Sequence, residues 1–277
     1  MTTEASMPAD QPGPKPLDLD VPSAARIYDY SLGGSHNFKV DRDFAQQVFQ
    51  HVPWVPNINR LNRSFLWRVV RFYLDQGIRQ FLDLGSGIPT VGNVHEVAQQ
   101  VLPDARVVYV DYEALAFQHA SGLLADNPHA TIIQADIRDP EAILDHPETQ
   151  SLLDFDQPLG LLMVGVLLFI SPDDHPADLV ATYRQRLAPG SLLAISHLCD
   201  EHAPPERREQ VATAVAAYQR ANEQLHVRTH EEITAWFNGM DLVEPGVVFL
   251  PDWRPETGDE ANDVARPLGY GGVARQP

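Results

Sequence analysis

The chain has 277 residues, 44% of them hydrophobic, and a formal net charge of −18; it is long enough for a full core and too acidic for tight binding to phosphate backbones or anionic lipid. The longest apolar stretch, residues 159–170, is too short to span a membrane, and the N-terminus lacks a charged-then-apolar signal pattern, so a cytoplasmic location is expected. Cys199 is the single cysteine, which excludes an internal disulfide.

Residues 1–20 are rich in proline, polar and acidic residues and read as a disordered lead-in. Ser23 can cap a helix through Ala24, Ala25, Ile27 and Tyr28, and the Gly33-Gly34 pair must break it. A second helix is expected from Asp41. A third is expected over 59–75, where Leu61, Phe65, Val69 and Phe72 recur at helical spacing before Gly77. From residue 78 strand and helix signals alternate, as in a parallel sheet covered on both faces. Strands are predicted at 79–84, 106–110, 130–134, 158–169, 191–196, 242–249 and 270–275. Helices are predicted at 93–101 and 113–125, from the Ser171-Pro-Asp-Asp174 start to about residue 188, at 205–225, and from the Thr229-His-Glu-Glu232 capping box to about residue 238.

The segment Phe81-Leu-Asp-Leu-Gly-Ser-Gly-Ile-Pro-Thr90 joins an apolar strand, an acid at its carboxyl end and a glycine turn that lets a ligand approach the backbone. Asp83, Asp111 and Asp136 each end one of three successive strands, so all three should line one edge of the sheet, where such folds bind ligands. A dinucleotide site would want a third glycine where this chain has Thr90, and a helix beginning at the turn; Pro89 and Thr90 intervene, and Asp83 would repel a pyrophosphate.

Several motifs in order now carry a resemblance: residues 25–38 (Ala-Arg-Ile-Tyr-Asp-Tyr-Ser-Leu-Gly-Gly-Ser-His-Asn-Phe), Asp41-Arg42, Asn62-Arg63, residues 77–87, Asn93-Val-His-Glu-Val-Ala98 and Ala105-Arg-Val-Val-Tyr-Val-Asp111. Together they resemble the class I S-adenosylmethionine-dependent methyltransferases, and within them an actinobacterial S-adenosyl methyltransferase group once known as a domain of unknown function. The resemblance implies an α/β Rossmann-like fold with a mostly parallel seven-stranded sheet and helices on both faces. It implies one domain over 21–277, with an N-terminal helical cap at 21–76, a core at 77–277 and a helical insertion near 205–225.

The cofactor implied is S-adenosylmethionine. By the same resemblance Asp83, Gly85, Ser86 and Gly87 flank its methionine part, Asp111 takes the ribose hydroxyls beside Tyr112 at the adenine, Asp136 and Ile137 meet the adenine edge, and Gly165 with Val166 passes the methionine. Its diol, amine and ammonium all donate to carboxylates or carbonyls.

Catalysis is less defined. Tyr30, His36, Asn37 and Arg42 come from a segment able to fold over the cofactor mouth, with Arg63 nearby; Tyr28 and Phe38 read as packing residues. His197, Asp200 and His202 follow the fifth strand and should lie near the rim, so His36 and His197 are the candidate bases. No metal is expected, because residues 197–202 lack a Cys-x-x-Cys or His-Glu-x-x-His pattern. The fourth strand ends in Met163-Val-Gly-Val rather than an Asp or Asn with Pro-Pro-aromatic, which argues against a nucleic-acid base as acceptor. The expected function is methyl transfer to a small molecule, O-methylation in specialised metabolism being one form of it, with the acceptor atom left open. The alternative is a non-catalytic sensor of the cofactor or its demethylated product.

Overall fold

The computed structural model describes residues 19–89, 92–220 and 224–277; Thr90, residues 221–223 and nearly all of the expected lead-in lie outside them. Three helices come first, α1 (Ala24–Ser31), α2 (Lys39–His51) and α3 (Val55–Asp75). Strands and helices then alternate: β1 (Gln80–Leu84), α4 (Val94–Val101), β2 (Arg106–Asp111), α5 (Ala114–Leu124), β3 (Ala130–Gln134), α6 (Pro140–Leu144), α7 (Pro147–Leu152), β4 (Gly160–Val164), α8 (Pro176–Gln185) and β5 (Leu192–Leu198). The chain continues with α9 (Pro205–Arg220), α10 (His230–Ala235), β6 (Asp241–Leu242), β7 (Val248–Phe249) and β8 (Gly269–Arg275).

The sheet order is β3-β2-β1-β4-β5-β8-β6, with β7 also paired to β8. From β3 to β5 every pairing is parallel, and β8 runs antiparallel to β5, β6 and β7. This is the Rossmann-like α/β architecture: seven positions, the last split between two short strands, eight strands in all. Alternate strand residues serve opposite faces, as the two-residue period requires. Phe81, Val107 and Leu162 join one core, while Leu82, Val108 and Leu161 join the other, so the sheet is buried on both sides.

Several elements differ from the expected ones, each for a local reason. The strand expected over 242–249 is two strands, because Pro245 has no N–H to give and Gly246 takes a left-handed φ of 87°. Strand β4 stops at Val164, since Gly165 has φ 74°, and Leu167–Phe169 is a 3-10 turn. The helix expected from Ser171 begins as a 3-10 turn, Pro172–Asp174. Pro176 disfavours a helical His175, which sits at φ 50°, and α8 starts afresh after it. Helix α9 is described over Pro205–Arg220; of the expected continuation to 225, residues 221–223 lie outside the described residues, and Gln224 and Leu225 are not helical. Helices α6 and α7 were not expected, being only 5 and 6 residues long.

Helix α3 owes its position to one buried stripe, including Leu61, Phe65, Val69 and Tyr73. Ile27 of α1 and Ala45 of α2 share a separate apolar cluster with Tyr218 of α9 and Leu225.

Candidate active site

A cavity of about 800 Å³ opens at the carboxyl edge of the parallel strands, lined by Asp83, Asp111 and Asp136 together with Gly85, Ser86 and Gly87. The turn after β1 is tied to β2, with Gly85 N–H donating to Val110 O at 2.8 Å and Ser86 N–H at 3.0 Å. Gly85 has φ 71° and a Cβ there would lie 2.2 Å from Val166 Cγ2, so glycine is needed twice over. Asp111 is held by two backbone donors, Gly87 N–H to Oδ2 at 2.8 Å and Glu113 N–H to Oδ1 at 2.9 Å. The residue lines the cavity. Asp136 is braced at the rim by Arg138, whose Nη2 lies 2.6 Å from Oδ2, and Asp174 stands 3.6 Å from the same guanidinium.

Asp83 is the electrostatic centre of the cavity. Burial raises its carboxyl to about 7, with Arg63 pulling down and Asp111 pushing up. Arg63 comes from α3, lines the same cavity and lies 5.6 Å from the Tyr28 ring.

Tyr112, Ile137, Gly165 and Val166 also line the cavity, as does His197. The residues expected from the 30–42 segment do not. Asp29 captures that loop instead, accepting His36 N–H at 2.9 Å and Asn37 Nδ2–H at 2.8 Å. A Cβ on Gly34 would lie 1.9 Å from Asp29 Oδ1, so that glycine serves this internal packing. Arg42 donates to Asn37 Oδ1 at 2.9 Å, Tyr30 packs on Phe49 with centroids 6.3 Å apart, and the His36 ring meets His119 at 4.4 Å. Tyr30, His36, Asn37 and Arg42 are thus cap-building residues outside the cavity wall. Tyr28, expected to pack only, faces the cavity, whereas Phe38 is 37% exposed. Neither Asp200 nor His202 reaches the lining; the His202 ring lies 6.2 Å from Phe249. Among the described residues no group of three or more His, Cys, Asp or Glu is placed to hold a metal.

The model of a family described as S-adenosyl methyltransferase matches residues 10–277. This chain belongs to the S-adenosyl methyltransferase family. It is therefore an S-adenosylmethionine-dependent methyltransferase, with S-adenosylmethionine as its cofactor. A solved structure from Thermobifida fusca, described as a candidate methyltransferase, is 42% identical with a TM-score of 0.86, covering 94% of this chain and 96% of that one. A DUF574 family protein from Streptomyces avermitilis is 36% identical with a TM-score of 0.87, covering 94% of this chain and 100% of that one. No curated protein matches the chain significantly.

In this S-adenosyl methyltransferase His197 is not placed to act as a base. Its Nδ1–H donates to Leu198 O at 2.8 Å, and its Nε2 accepts from Arg228 Nη1 at 2.8 Å, so both ring nitrogens are engaged. Burial lowers its pKa to about 4, and Arg228 lowers it further against the backbone bonds that support the cation. Arg228 also donates to Leu167 O at 3.1 Å and Ile170 O at 2.7 Å, so the pair anchors the loop after β4. A free histidine titrates near 6.5. Between pH 6.5 and 4 the unfolded chain therefore takes up a proton that the folded site refuses, and stability falls as pH falls through that window. The contribution is about 3 kcal/mol at most. Denaturant titrations at pH 4.5 and 7 should show this loss, and it should shrink in His197→Gln.

The methyltransferase also holds a buried ionic latch that its sequence did not single out. Arg26 Nε donates to Asp41 Oδ1 at 2.9 Å, and its Nη1 lies 3.5 Å from Glu113 Oε1. Ser23 Oγ donates to Glu113 Oε2 at 2.5 Å, while Asp41 Oδ2 accepts Phe38 N–H at 2.8 Å. Glu113 is the residue whose N–H orients Asp111, so α1 and α2 are joined to the acid at the end of β2. The signal available was Arg26 and Asp41 inside the matched motifs, but nothing in their spacing named Glu113 as the partner.

Proposed function

We propose that this methyltransferase moves the methyl group of S-adenosylmethionine to an oxygen of a small, largely apolar acceptor, as in specialised metabolism. The observation that carries the reading is the convergence of Asp83, Asp111 and Asp136 on one cavity beside the Gly85–Gly87 turn. Bound S-adenosylmethionine supplies an electrophilic methyl on a sulfonium. Asp83 and the turn would hold its methionine portion, with the ionised carboxylate facing the ammonium. Asp111 would take the ribose hydroxyls, Tyr112 the adenine face, and Asp136 with Ile137 the adenine edge, while Gly165 leaves room where β4 ends. The donor set fits in kind, since carboxylates fixed by backbone or guanidinium bonds line the cavity, and the ligand's diol and amine donate to such acceptors.

The same cavity is also lined by Trp54, Ile58, Leu66, Phe169, Tyr218 and Leu250. This largely apolar lining supports an acceptor, and hence turnover, over a role as a cofactor sensor. Helices α1–α3 serve as the cap over a Rossmann-like core in a single domain. The net charge of −18 supports a neutral small molecule over nucleic acid. No helix among the described residues is long and apolar enough to cross a membrane, and we place the enzyme in the cytoplasm.

Titration calorimetry with S-adenosylmethionine and S-adenosylhomocysteine tests the cofactor assignment. Asp83→Ala and Asp111→Ala should each weaken binding at least tenfold, or about 1.4 kcal/mol. Unchanged affinity in both variants would overturn the residue assignment, and no binding by folded wild type would overturn the reading itself.

A further inference from the structure

We infer that the acceptor is a phenol- or enol-type hydroxyl that enters as its anion, with Asn62 donating the hydrogen bond that receives the oxyanion. This deepens the methyl-transfer reading above and rests on it.

Asn62 lies on α3, half-buried, in the lining of the same cavity. Its place is set by the turn after β4, since a Cβ on Gly165 would come 2.9 Å from Asn62 Nδ2. A directed hydrogen-bond chain runs through it. Tyr28 Oη–H donates to the backbone carbonyl of Asn59 at 3.2 Å, and a carbonyl can only accept. The Tyr28 oxygen is then the acceptor for Asn62 Nδ2, 3.3 Å away. That orientation turns Asn62 Oδ1 toward Ser196, whose hydroxyl donates to it at 2.5 Å. Both hydroxyl protons are committed, and the chain ends on a carbonyl that takes no proton. What this chain leaves for a ligand is the second N–H of Asn62.

The chemistry follows from that polarity. The chain offers a donor to the nucleophile and nothing to accept its proton. His197, the neighbouring imidazole on β5, has both nitrogens engaged. The other charged or titratable groups lining the cavity are Tyr28, Arg63, Asp83 and Tyr218, together with Asp111, Tyr112, Glu113, Asp136, Arg138, Asp173 and Asp174 toward the cofactor's ribose and adenine. Arg63 favours an anion there. Asp83 opposes one until a cationic cofactor faces it. A hydroxyl acidic enough to lose its proton to solvent before transfer suits this site. An amine, whose own N–H groups seek acceptors, does not. In the transfer the acceptor oxygen forms the new C–O bond while the C–S bond breaks, its electron pair passing to sulfur. The aromatic and aliphatic walls, among them Trp54, Phe169 and Leu250, suit a flat apolar body behind that hydroxyl.

The probe is 4-nitrophenol, whose anion is coloured, titrated with pH in the presence and absence of protein saturated with S-adenosylhomocysteine. Its half-ionisation point should fall by about one pH unit or more on binding, a tenfold preference for the anion. Asn62→Ala should remove most of that fall while leaving S-adenosylhomocysteine affinity within about twofold, and Asn62→Asp should raise the half-ionisation point above that of wild type. An unchanged or raised half-ionisation point on the wild-type protein, or no binding of the probe, overturns the inference. Loss of S-adenosylhomocysteine binding by folded wild type would instead overturn the cofactor reading on which it stands.

Discussion

Arg26→Met should lower the melting temperature by on the order of 10 °C and weaken S-adenosylhomocysteine binding as well. The side chains of Arg26, Asp41 and Glu113 are 2%, 0% and 7% exposed, so removing the cation leaves two carboxylates inside the protein without it. Breaking a buried pair in this way costs about 3–5 kcal/mol, and a large domain loses about 2–4 °C per kcal/mol. The binding loss arises separately, because Glu113 N–H orients Asp111 and Glu113 is itself held by Arg26 and Ser23. Arg26→Lys keeps the charge but not the planar fork that reaches both acids, and should fall between wild type and Arg26→Met. Scanning calorimetry and ligand titration on the three proteins check this. A melting temperature for Arg26→Met within 2 °C of wild type would show that the latch adds little to stability, given the sensitivity expected of such a domain.

Cofactor affinity should rise with pH, roughly tenfold per unit below 7 and hardly at all above 8. Asp83 titrates at about 7 in the folded protein against an ordinary value of 3.8. A bound ammonium requires the ionised form, so below pH 7 binding must expel a proton. Calorimetry at pH 6 in two buffers of different ionisation heat should register release of about one proton. Asp83→Asn should bind weakly and show no such slope. The same shift acts on stability with the opposite sense. Without ligand, folded Asp83 keeps a proton that the unfolded chain has lost, so its contribution is complete below pH 3.8 and disappears as pH rises through 7. The amount is a few kcal/mol. A cationic ligand cancels that penalty, so added cofactor should stabilise the protein more at pH 8 than at pH 6.

The carboxyl edge was legible in the sequence because its signal is local. An apolar run ending in an acid and a glycine turn fixes both the strand and the direction in which the acid points, and Asp83, Asp111 and Asp136 all meet the cavity. The cap was harder to read. Helical spacing marks α1 but does not say which stripe faces the ligand. Ala24 and Tyr28, four residues apart, turn to the cavity, while Asp29 pulls His36 and Asn37 the other way. His197 looked like a candidate base because it stands at the carboxyl end of the fifth strand, near the rim. Its fate depends on Arg228, 31 residues later, in a stretch with no motif. Asn62 stood within the matched motif, yet its part in a directed chain needed Tyr28, Gly165 and Ser196 from three other elements.

The order of synthesis gives the sheet a late keystone. Strand β8 follows β6 and β7 in the chain but lies between them and β5, pairing over Gly269–Arg275. The parallel half, from β3 to β5, has all its neighbours as soon as β5 is made. Strands β6 and β7 have none until β8 emerges, and the open side of β5 is an unprotected edge for as long. Gly269 also lines the cavity. A nascent chain halted shortly before it would carry the carboxylates of the cofactor half and an adhesive, unfinished flank, and a protease that clips the tail would recreate that state.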